Sequence, residues 1–243
     1  MKLEIIGFNI ESCIIAQRAG ADRIELCDNY YEGGTTPSVA FIQAARKKLS
    51  IELYVMIRPR GGDFLYRDDE LAIMKSNIRV CKDLGCDGVV LGVLNADGTI
   101  DRERCAYLFE YAYPLGVTFH RAFDRTKDPF KALDEIIDIG FERILTSGLQ
   151  PKAMDGISLI QQLVQRADDR ILIMPGSGIN SQNILQVAET TGAVEFHSSA
   201  SIFIEGDMQY HNGQIEDEKR ILVNEQEVEK MSALLKNLSN ARV

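Results

Sequence analysis

Four segments of the chain repeat one local pattern, and this repeat restricts the possible folds more than any other feature. In each, a glycine follows a helix-like stretch and is followed by a short run rich in β-branched residues; the segments are residues 19–26, 84–91, 139–146 and 191–197. A glycine just past a helix adopts the left-handed conformation that ends the helix at little cost. The repeat therefore predicts helices that lead directly into strands.

Strand-like and helix-like segments alternate along the whole chain. Further strand-like runs lie near residues 3–8, 51–58, 116–120 and 171–174, and the last helical segment lies near 225–237. Eight strands alternating with eight helices in 243 residues is typical of a parallel (β/α)8 TIM barrel. We therefore predict one TIM-barrel domain over residues 1–243, with an irregular polar loop at about 205–220 before the last helix. An open, doubly wound sheet is the alternative.

The acidic composition disfavours several classes of function. The chain has 27 Lys and Arg against 36 Asp and Glu, a formal net charge of −9, whereas nucleic-acid binding relies on clustered basic residues. No apolar run is long enough to cross a bilayer, and Lys2 and Glu4 place charges too early for a secretory signal. We expect a cytoplasmic protein without nucleic-acid or membrane partners, whose five cysteines are thiols.

The predicted barrel carries charged side chains in its lumen. Because side chains alternate along a strand, Arg23, Glu25 and Cys27 share the face that points inward. The same reasoning places these charged side chains in the lumen: Glu4, Glu25, Arg58, His120, Glu195 and His197. Buried charges are costly without partners. They predict either an active site, with Glu25, His120 and Arg58 as catalytic residues, or structural ion pairs in the barrel floor.

Two predicted loops at the barrel mouth have the composition of anion sites. Arg58 and Arg60 flank a proline after the third strand, and guanidinium groups match carboxylate or phosphate oxygens; the alternative is an Arg–Asp pair that only orders the loop. After the seventh strand, a glycine-rich turn precedes a helix, where backbone N–H groups can bind phosphate, although a tight turn would need the same glycines. The predicted anion-binding residues are Arg60, Gly176, Ser177, Gly178, Ser198 and Ser199.

Six separated motifs together resemble the CutC family. They are GADRIELC at 20–27, EGGTTPS at 32–38, MIRPRGGDFLY at 56–66, VTFHRAFD at 117–124, LTSG at 145–148 and EFHSSA at 195–200. The resemblance covers about residues 1–200, in the order of the family. It implies a cytoplasmic TIM barrel that self-associates, functions in copper homeostasis and binds Cu(I).

The sequence departs from the family at one proposed copper ligand. Many relatives have a cysteine on the first strand, where this chain has Ile6, so that only Cys27 of the pair remains. Cu(I) prefers thiolate and thioether ligands. The resemblance therefore implies Cys27 as the metal ligand, with Cys13 as a substitute partner and Met56 and the nearby histidines as weaker candidates. The tail after Ile202 also diverges from the family pattern.

Two functions follow from these patterns. The first is Cu(I) binding in copper homeostasis, as the resemblance implies. The second is an enzyme of the isomerase or lyase type that acts on a small phosphorylated or carboxylated metabolite, with Glu25 as base, His120 as its acid–base partner and an anion site at the barrel mouth. The expected partners are a copper ion or a small anionic metabolite, and further copies of the chain. No organic cofactor is indicated, and a purely structural oligomer leaves the charged lumen unexplained.

Overall fold

A computed structural model describes residues 1–214 and 219–241, and the first eight strands in it form a barrel surrounded by helices. The barrel strands are β1 Lys2–Gly7, β2 Arg23–Leu26, β3 Glu52–Met56, β4 Gly88–Leu91, β5 Gly116–Phe119, β6 Arg143–Thr146, β7 Leu172–Pro175 and β8 Glu195–Ser198. The helices are α1 Ile10–Arg18, α2 Val39–Lys48, α3 Asp68–Asp83, α4 Arg102–Ala112, α5 Pro129–Ile139, α6 Ile157–Ala167, α7 Ile184–Thr191 and α8 Glu225–Ala241.

The pairing of the strands confirms the predicted TIM barrel. Neighbours in sequence are hydrogen-bonded in parallel from β1 to β7, and β1 also pairs with β8. Strands β7 and β8 lie side by side and nearly close the barrel. The doubly wound alternative is wrong, because an open sheet would not place β8 beside both β1 and β7.

Helix α5 shows how the sequence sets the helix boundaries. The Asp128 side chain accepts hydrogen bonds from the backbone N–H groups of Phe130 and Lys131, and Pro129 occupies the first turn. The helix ends at Gly140, which has a φ of 108°. Between these signals, Leu133 and other apolar residues at helical spacing are buried against the barrel.

The strands divide the interior into two apolar layers, as their alternation predicts. Ile24 and Leu26 of β2 face outward and belong to the main core beneath the helices. Cys27 follows them on the inward side, in a smaller cluster with Tyr54, Met56 and Val90. The smaller cluster lies under the barrel mouth, so β2 carries its functional candidates on the face away from the main core.

The segment after the barrel differs from the prediction. Within the predicted irregular loop at 205–220, residues 205–214 have no regular secondary structure, and residues 215–218 lie outside the described residues. However, β9 Ser201–Ile204 and β10 Arg220–Val223 pair antiparallel on either side of it. Arg220 is therefore in a strand rather than in a loop, because its backbone pairs with Ile204.

Candidate functional site

The C-terminal ends of the strands open into a cavity of about 1170 Å³. Its wall includes eight predicted site or lumen residues: Glu25, Met56, Arg58, His120, Ser177, Gly178, His197 and Ser199. The other candidates, which are Glu4, Cys13, Cys27, Arg60, Gly176, Glu195 and Ser198, are not part of that wall. The structure thus gathers the acid–base candidates and part of the anion-binding set at one mouth, as barrel topology predicts.

Two carboxylates and an imidazole meet at the bottom of this mouth. Residues Glu4 on β1, Glu25 on β2 and His197 on β8 are all buried, and one ligand atom from each lies within 4.8 Å of the others. His197 Nδ1 lies 2.7 Å from Glu4 Oε1, and His197 Nε2 lies 3.8 Å from Glu25 Oε2. The register of the sheet produces this contact, because Glu4 is paired with His197 across β1 and β8.

The environment gives the two carboxyl groups opposite pKa shifts. Burial alone would raise the pKa of Glu4, but the charges of Arg23 and His197 hold it well below its usual range. Burial dominates at Glu25 and raises its pKa to about 7, against the opposing charge of His197. Burial disfavours protonation of His197, yet the adjacent carboxylates of Glu25 and Glu4 raise its pKa above the ordinary value. The pKa of Glu25 thus lies near neutral pH beside a histidine whose protonated form the carboxylates favour.

A buried ion-pair network below the cavity holds Glu4 in place. Arg23 Nε donates to Glu4 Oε2, and Arg23 Nη2 donates to Glu195 Oε2 at 2.5 Å. Arg143 Nε donates to the same Glu195 oxygen at 2.6 Å. Arg143 was not among the predicted lumen charges, although its position at the start of β6 matches that of Arg23 on β2. Glu195 thus belongs to structural ion pairs in the floor, whereas Glu25 lies in the cavity wall, where its catalytic role stays a prediction.

Cys27 lies behind the cavity wall and is fully buried. Its Sγ lies 3.6 Å from Glu25 Oε2, to which the thiol donates. Burial and the nearby Glu25 carboxylate raise the pKa of the thiol well above its ordinary value. Met56 belongs to the same apolar cluster, and Ile6, at the position of the missing family cysteine, packs against that cluster. A cysteine at position 6 would therefore belong to the same pocket as Cys27.

Cys13 lies in α1 and is buried in the main core. Its Sγ fills the space beside Gly7, where an added Cβ would collide with it, and Ile24 is the next nearest contact. Burial raises the pKa of the thiol to about 12. The structure thus places Cys13 in the layer under the helices, whereas Cys27 lies on the inner side of β2; help from Cys13 in metal binding stays a prediction.

The two arginines after β3 donate to protein oxygens. Arg58 Nη1 donates to the carbonyl groups of Glu32 and Gly34, at 2.6 and 2.7 Å. Arg60 Nε donates to Glu70 at 2.6 Å, and its Nη2 donates to the Leu65 carbonyl at 2.9 Å. These contacts match the loop-ordering alternative. Anion binding by Arg60 stays a prediction, although its Nε and Nη2 atoms already donate to protein oxygens.

A cationic residue that the sequence analysis did not select lies in the cavity wall. Arg121 Nε donates to Asp124 Oδ2 at 2.7 Å, and its Nη2 donates to Ser147 Oγ at 2.7 Å. Asp124 in turn accepts hydrogen bonds from the Thr146 hydroxyl and the Ser147 backbone. Two motifs quoted above, VTFHRAFD and LTSG, thus form one hydrogen-bonded unit that fixes Arg121 at the rim.

The turn after β7 has the shape expected of a glycine-rich turn. Ser177 and Gly178 have φ values of 77° and 75°, and the Ser177 hydroxyl donates to the Pro151 carbonyl at 2.8 Å. Ser198 Oγ donates to the Ile179 carbonyl at 2.6 Å, which ties β8 to this turn. Gly176 packs beneath, against Leu145 and His197 side chains. Ser177, Gly178 and Ser199 therefore face the cavity, while Gly176 and Ser198 support them.

Three buried polar atoms of cavity-wall residues have no hydrogen-bond partner in the described part of the chain. They are Glu25 Oε1, Arg58 Nε and His120 Nε2. The three side chains are 1%, 5% and 2% exposed. Unpaired buried polar atoms are costly, and they concentrate at functional sites. The wall thus holds one unpartnered carboxylate oxygen and two unpartnered nitrogen atoms.

Fold and site together define a TIM-barrel protein whose mouth is lined by buried carboxylate and histidine side chains and by a glycine-rich turn. The model of the CutC family matches residues 1–202, and the chain belongs to this family. The "Copper homeostasis protein cutC homolog" of Homo sapiens is 47% identical over 213 residues, which cover 88% of this chain and 78% of that protein. A CutC family protein of Parabacteroides distasonis is 49% identical over 211 residues, covering 86% and 87%.

Solved structures agree with the observed architecture. The crystal structure of CutC from Streptococcus agalactiae has a TM-score of 0.79 and 36% sequence identity, covering 82% of this chain and 98% of that one. A thiamine phosphate pyrophosphorylase from Pyrococcus furiosus has a TM-score of 0.62 at 16% identity, covering 98% and 96%, and shares the barrel fold. No helix among the described residues is both long and apolar enough to cross a membrane.

Proposed function

We propose that the protein binds Cu(I) as cargo, with the Cys27 thiolate as the principal ligand and the Met56 thioether beside it. The observation that carries the proposal is the proximity of the two sulfur side chains. A Cβ built on Gly34 would lie 3.1 Å from Cys27 Sγ and 3.7 Å from Met56 Cε, so both side chains border the same small space. Thiolate and thioether sulfur are the donors that Cu(I) prefers.

Further support comes from the position of this sulfur pair. Met56 and Ile6 line the cavity and also pack with Cys27 in the smaller apolar cluster, so the sulfur pair borders the mouth. Two of the proteins named above, from Homo sapiens and Streptococcus agalactiae, are described as copper homeostasis proteins. Binding requires the thiol to lose its proton, so we expect weaker Cu(I) binding at lower pH.

The test is an anaerobic Cu(I) titration against a colorimetric chelator, with the unaltered protein and two cysteine variants. Cys27→Ser should weaken binding by at least about tenfold, because it removes the only thiolate of the pair. Cys105→Ser is the matched control, since Cys105 is equally buried but lies in helix α4, and it should bind as the unaltered protein does. Equal affinity of Cys27→Ser and the unaltered protein would refute the proposed site.

We propose an enzymatic function as the second candidate, because Glu25 Oε1 and His120 Nε2 are buried and unpartnered in one cavity. The activity is of the isomerase or lyase type, on a small phosphorylated or carboxylated metabolite. Glu25 is the base that faces the substrate, and the Ser177–Gly178 turn binds its anionic group. His197 and Glu4 orient Glu25, so they are positioning residues.

The two candidate functions respond differently to substitution. A panel of small phosphorylated and carboxylated compounds would be screened for turnover with the unaltered protein, Glu25→Gln and Cys27→Ser. We expect Glu25→Gln to abolish turnover, because an amide cannot accept the proton, and Cys27→Ser to retain it. Turnover that is unchanged in Glu25→Gln would contradict the assigned base. Copper binding measured on the same variants separates the two functions.

A further inference from the structure

His120 holds a buried hydrogen-bond donor for which the described protein supplies no acceptor. His120 Nδ1 accepts a hydrogen bond from the backbone N–H of Ala122 at 3.3 Å. We therefore assign the proton of the neutral imidazole to Nε2. Nε2 is buried, unpartnered and part of a side chain that lines the cavity. A ligand that binds at His120 Nε2 must therefore supply a hydrogen-bond acceptor.

The surroundings of His120 keep the ring uncharged. The Phe64 ring lies 4.8 Å from it and the Phe119 ring 6.1 Å, measured between centroids. Burial, and then the charge of Arg58, lower the pKa of His120 to about 3. A neutral, desolvated donor suits an uncharged carbonyl oxygen, because it does not compensate for the desolvation of a full negative charge. A neutral imidazole in such a position polarises a carbonyl group.

The anionic part of a ligand fits a different part of the same cavity. The Ser177–Gly178 turn lies in the wall, and no protein acceptor is found for either backbone N–H group among the described residues. Arg121, also in the wall, is 42% exposed and fixed by Asp124. Backbone N–H groups and a solvated guanidinium bind phosphate oxygens without burying the charge. The cavity therefore has two different binding regions: a solvated region at the Ser177–Gly178 turn and Arg121, which suits an anion, and the buried donor of His120.

We propose that the mouth binds a small phosphorylated carbonyl compound, with the carbonyl oxygen on His120 Nε2–H and the phosphate at the Ser177–Gly178 turn. The inference rests on the second proposed function and specifies its substrate class. It also changes the predicted role of His120: the ring donates a hydrogen bond and keeps its proton, instead of passing it to the substrate. Cys27 and Met56 have no part in this contact.

The test compares two probes that differ only at one carbon. Dihydroxyacetone phosphate has a carbonyl group where 3-hydroxypropyl phosphate has a methylene group, which cannot accept a hydrogen bond, and binding of both would be measured by calorimetry. A satisfied buried donor is worth about tenfold in affinity, so we expect the ketone to bind about tenfold more tightly. Equal affinities would overturn the contact with His120 while leaving the anion site. Failure of both probes to bind would overturn the anion site and the second proposed function as well.

Variants of His120 and one spectrum complete the test. His120→Gln keeps an N–H donor and should retain part of the preference for the ketone, whereas His120→Leu should lose it with the phosphate affinity unchanged. Because either variant could disturb the Ala122 contact, 15N-histidine spectra of the unaltered protein give an independent measurement. The ketone should shift the His120 Nε2–H resonance, and 3-hydroxypropyl phosphate, which has no acceptor at that carbon, should not. A shift of equal size with both probes would contradict the proposal.

Discussion

Burial keeps the His120 ring uncharged at pH values where a solvent-exposed histidine would be protonated. Its pKa falls from 6.5 to about 3 on folding, so between these values the unfolded chain binds a proton that the folded protein does not. The histidine therefore reduces stability as the pH falls from 6.5 towards 3. From pH 7.5 to pH 5 we expect it to remove about 2 kcal/mol, because the slope approaches about 1.4 kcal/mol per pH unit.

The measurement is urea unfolding of the unaltered protein and His120→Gln at both pH values. The stability of the variant relative to the unaltered protein should improve at pH 5. A His120→Gln protein with the same pH dependence as the unaltered protein would show that the ring is protonated in the fold.

Strand alternation predicts which residues face the mouth but not which atoms remain free there. It placed Glu25 and His197 inward, and the structure brings them together. The role of Arg58, which follows β3, could not be predicted in this way. Its guanidinium donates to the carbonyl oxygens of Glu32 and Gly34, which lie in another loop. The tautomer of His120 likewise depends on a local backbone N–H, which only the folded turn defines.

At the scale of elements, the loop between β6 and α6 depends on a close backbone approach. Gly148 has a φ of 68°, and a Cβ there would collide with the Gly156 carbonyl oxygen. Gly85 has a similar φ of 70°, but nothing lies within 4 Å of the added atom. Gly148→Ala should therefore lower the free energy of unfolding by about 2–4 kcal/mol, and Gly85→Ala by about 1–2 kcal/mol.

Thermal and urea unfolding of both glycine variants would measure the difference. Because the left-handed backbone is common to both positions, the excess loss at Gly148 isolates the contact with Gly156. Equal losses would mean that the loop moves to accept a side chain. Such movement would also displace Ser147 and the hydrogen bonds that fix Asp124.

The βα units were predictable as elements, whereas the short ribbon β9–β10 was not. Helices such as α5 have signals at both ends, so the sequence alone defines their limits. The ribbon has four residues per strand, and Ile202 and Phe203 in it are exposed. A short strand without a buried face has weak periodicity, and its partner lies beyond a polar segment. The pairing therefore depends on tertiary contacts, such as that of Asn9 with the Ile221 carbonyl.

At the scale of the whole molecule, buried ion pairs connect different strands across the floor of the barrel. Arg23 is fully buried and contacts carboxylates from three strands, through Glu4, Glu52 and Glu195. Arg23→Met would leave buried Glu4 with only His197 and buried Glu195 with only Arg143 to balance their charge, and we expect a loss of about 3–5 kcal/mol in the free energy of unfolding. Arg18 pairs with Glu225 on the surface, and Arg18→Met should change the unfolding midpoint little.

Chemical unfolding of these two arginine variants checks the prediction. A small loss for Arg23→Met would mean that the carboxyl groups become protonated or rearrange, and that the network contributes little to the stability of the barrel.

The overall fold was predictable because each βα unit is local in sequence. The closed network was not, since its members come from β1, β2, β3, β6 and β8 and meet only in the register of the complete barrel. Self-association and a cytoplasmic location stay predictions.

X-ray absorption at the copper edge, on protein loaded anaerobically with one equivalent of Cu(I), tests directly whether the ion binds to sulfur or to the oxygen and nitrogen ligands nearby. We expect a low-coordinate sulfur shell from Cys27 and Met56 that loses sulfur in Cys27→Ser. A shell of oxygen and nitrogen alone, as expected from Glu4, Glu25 and His197, would contradict the proposed sulfur site.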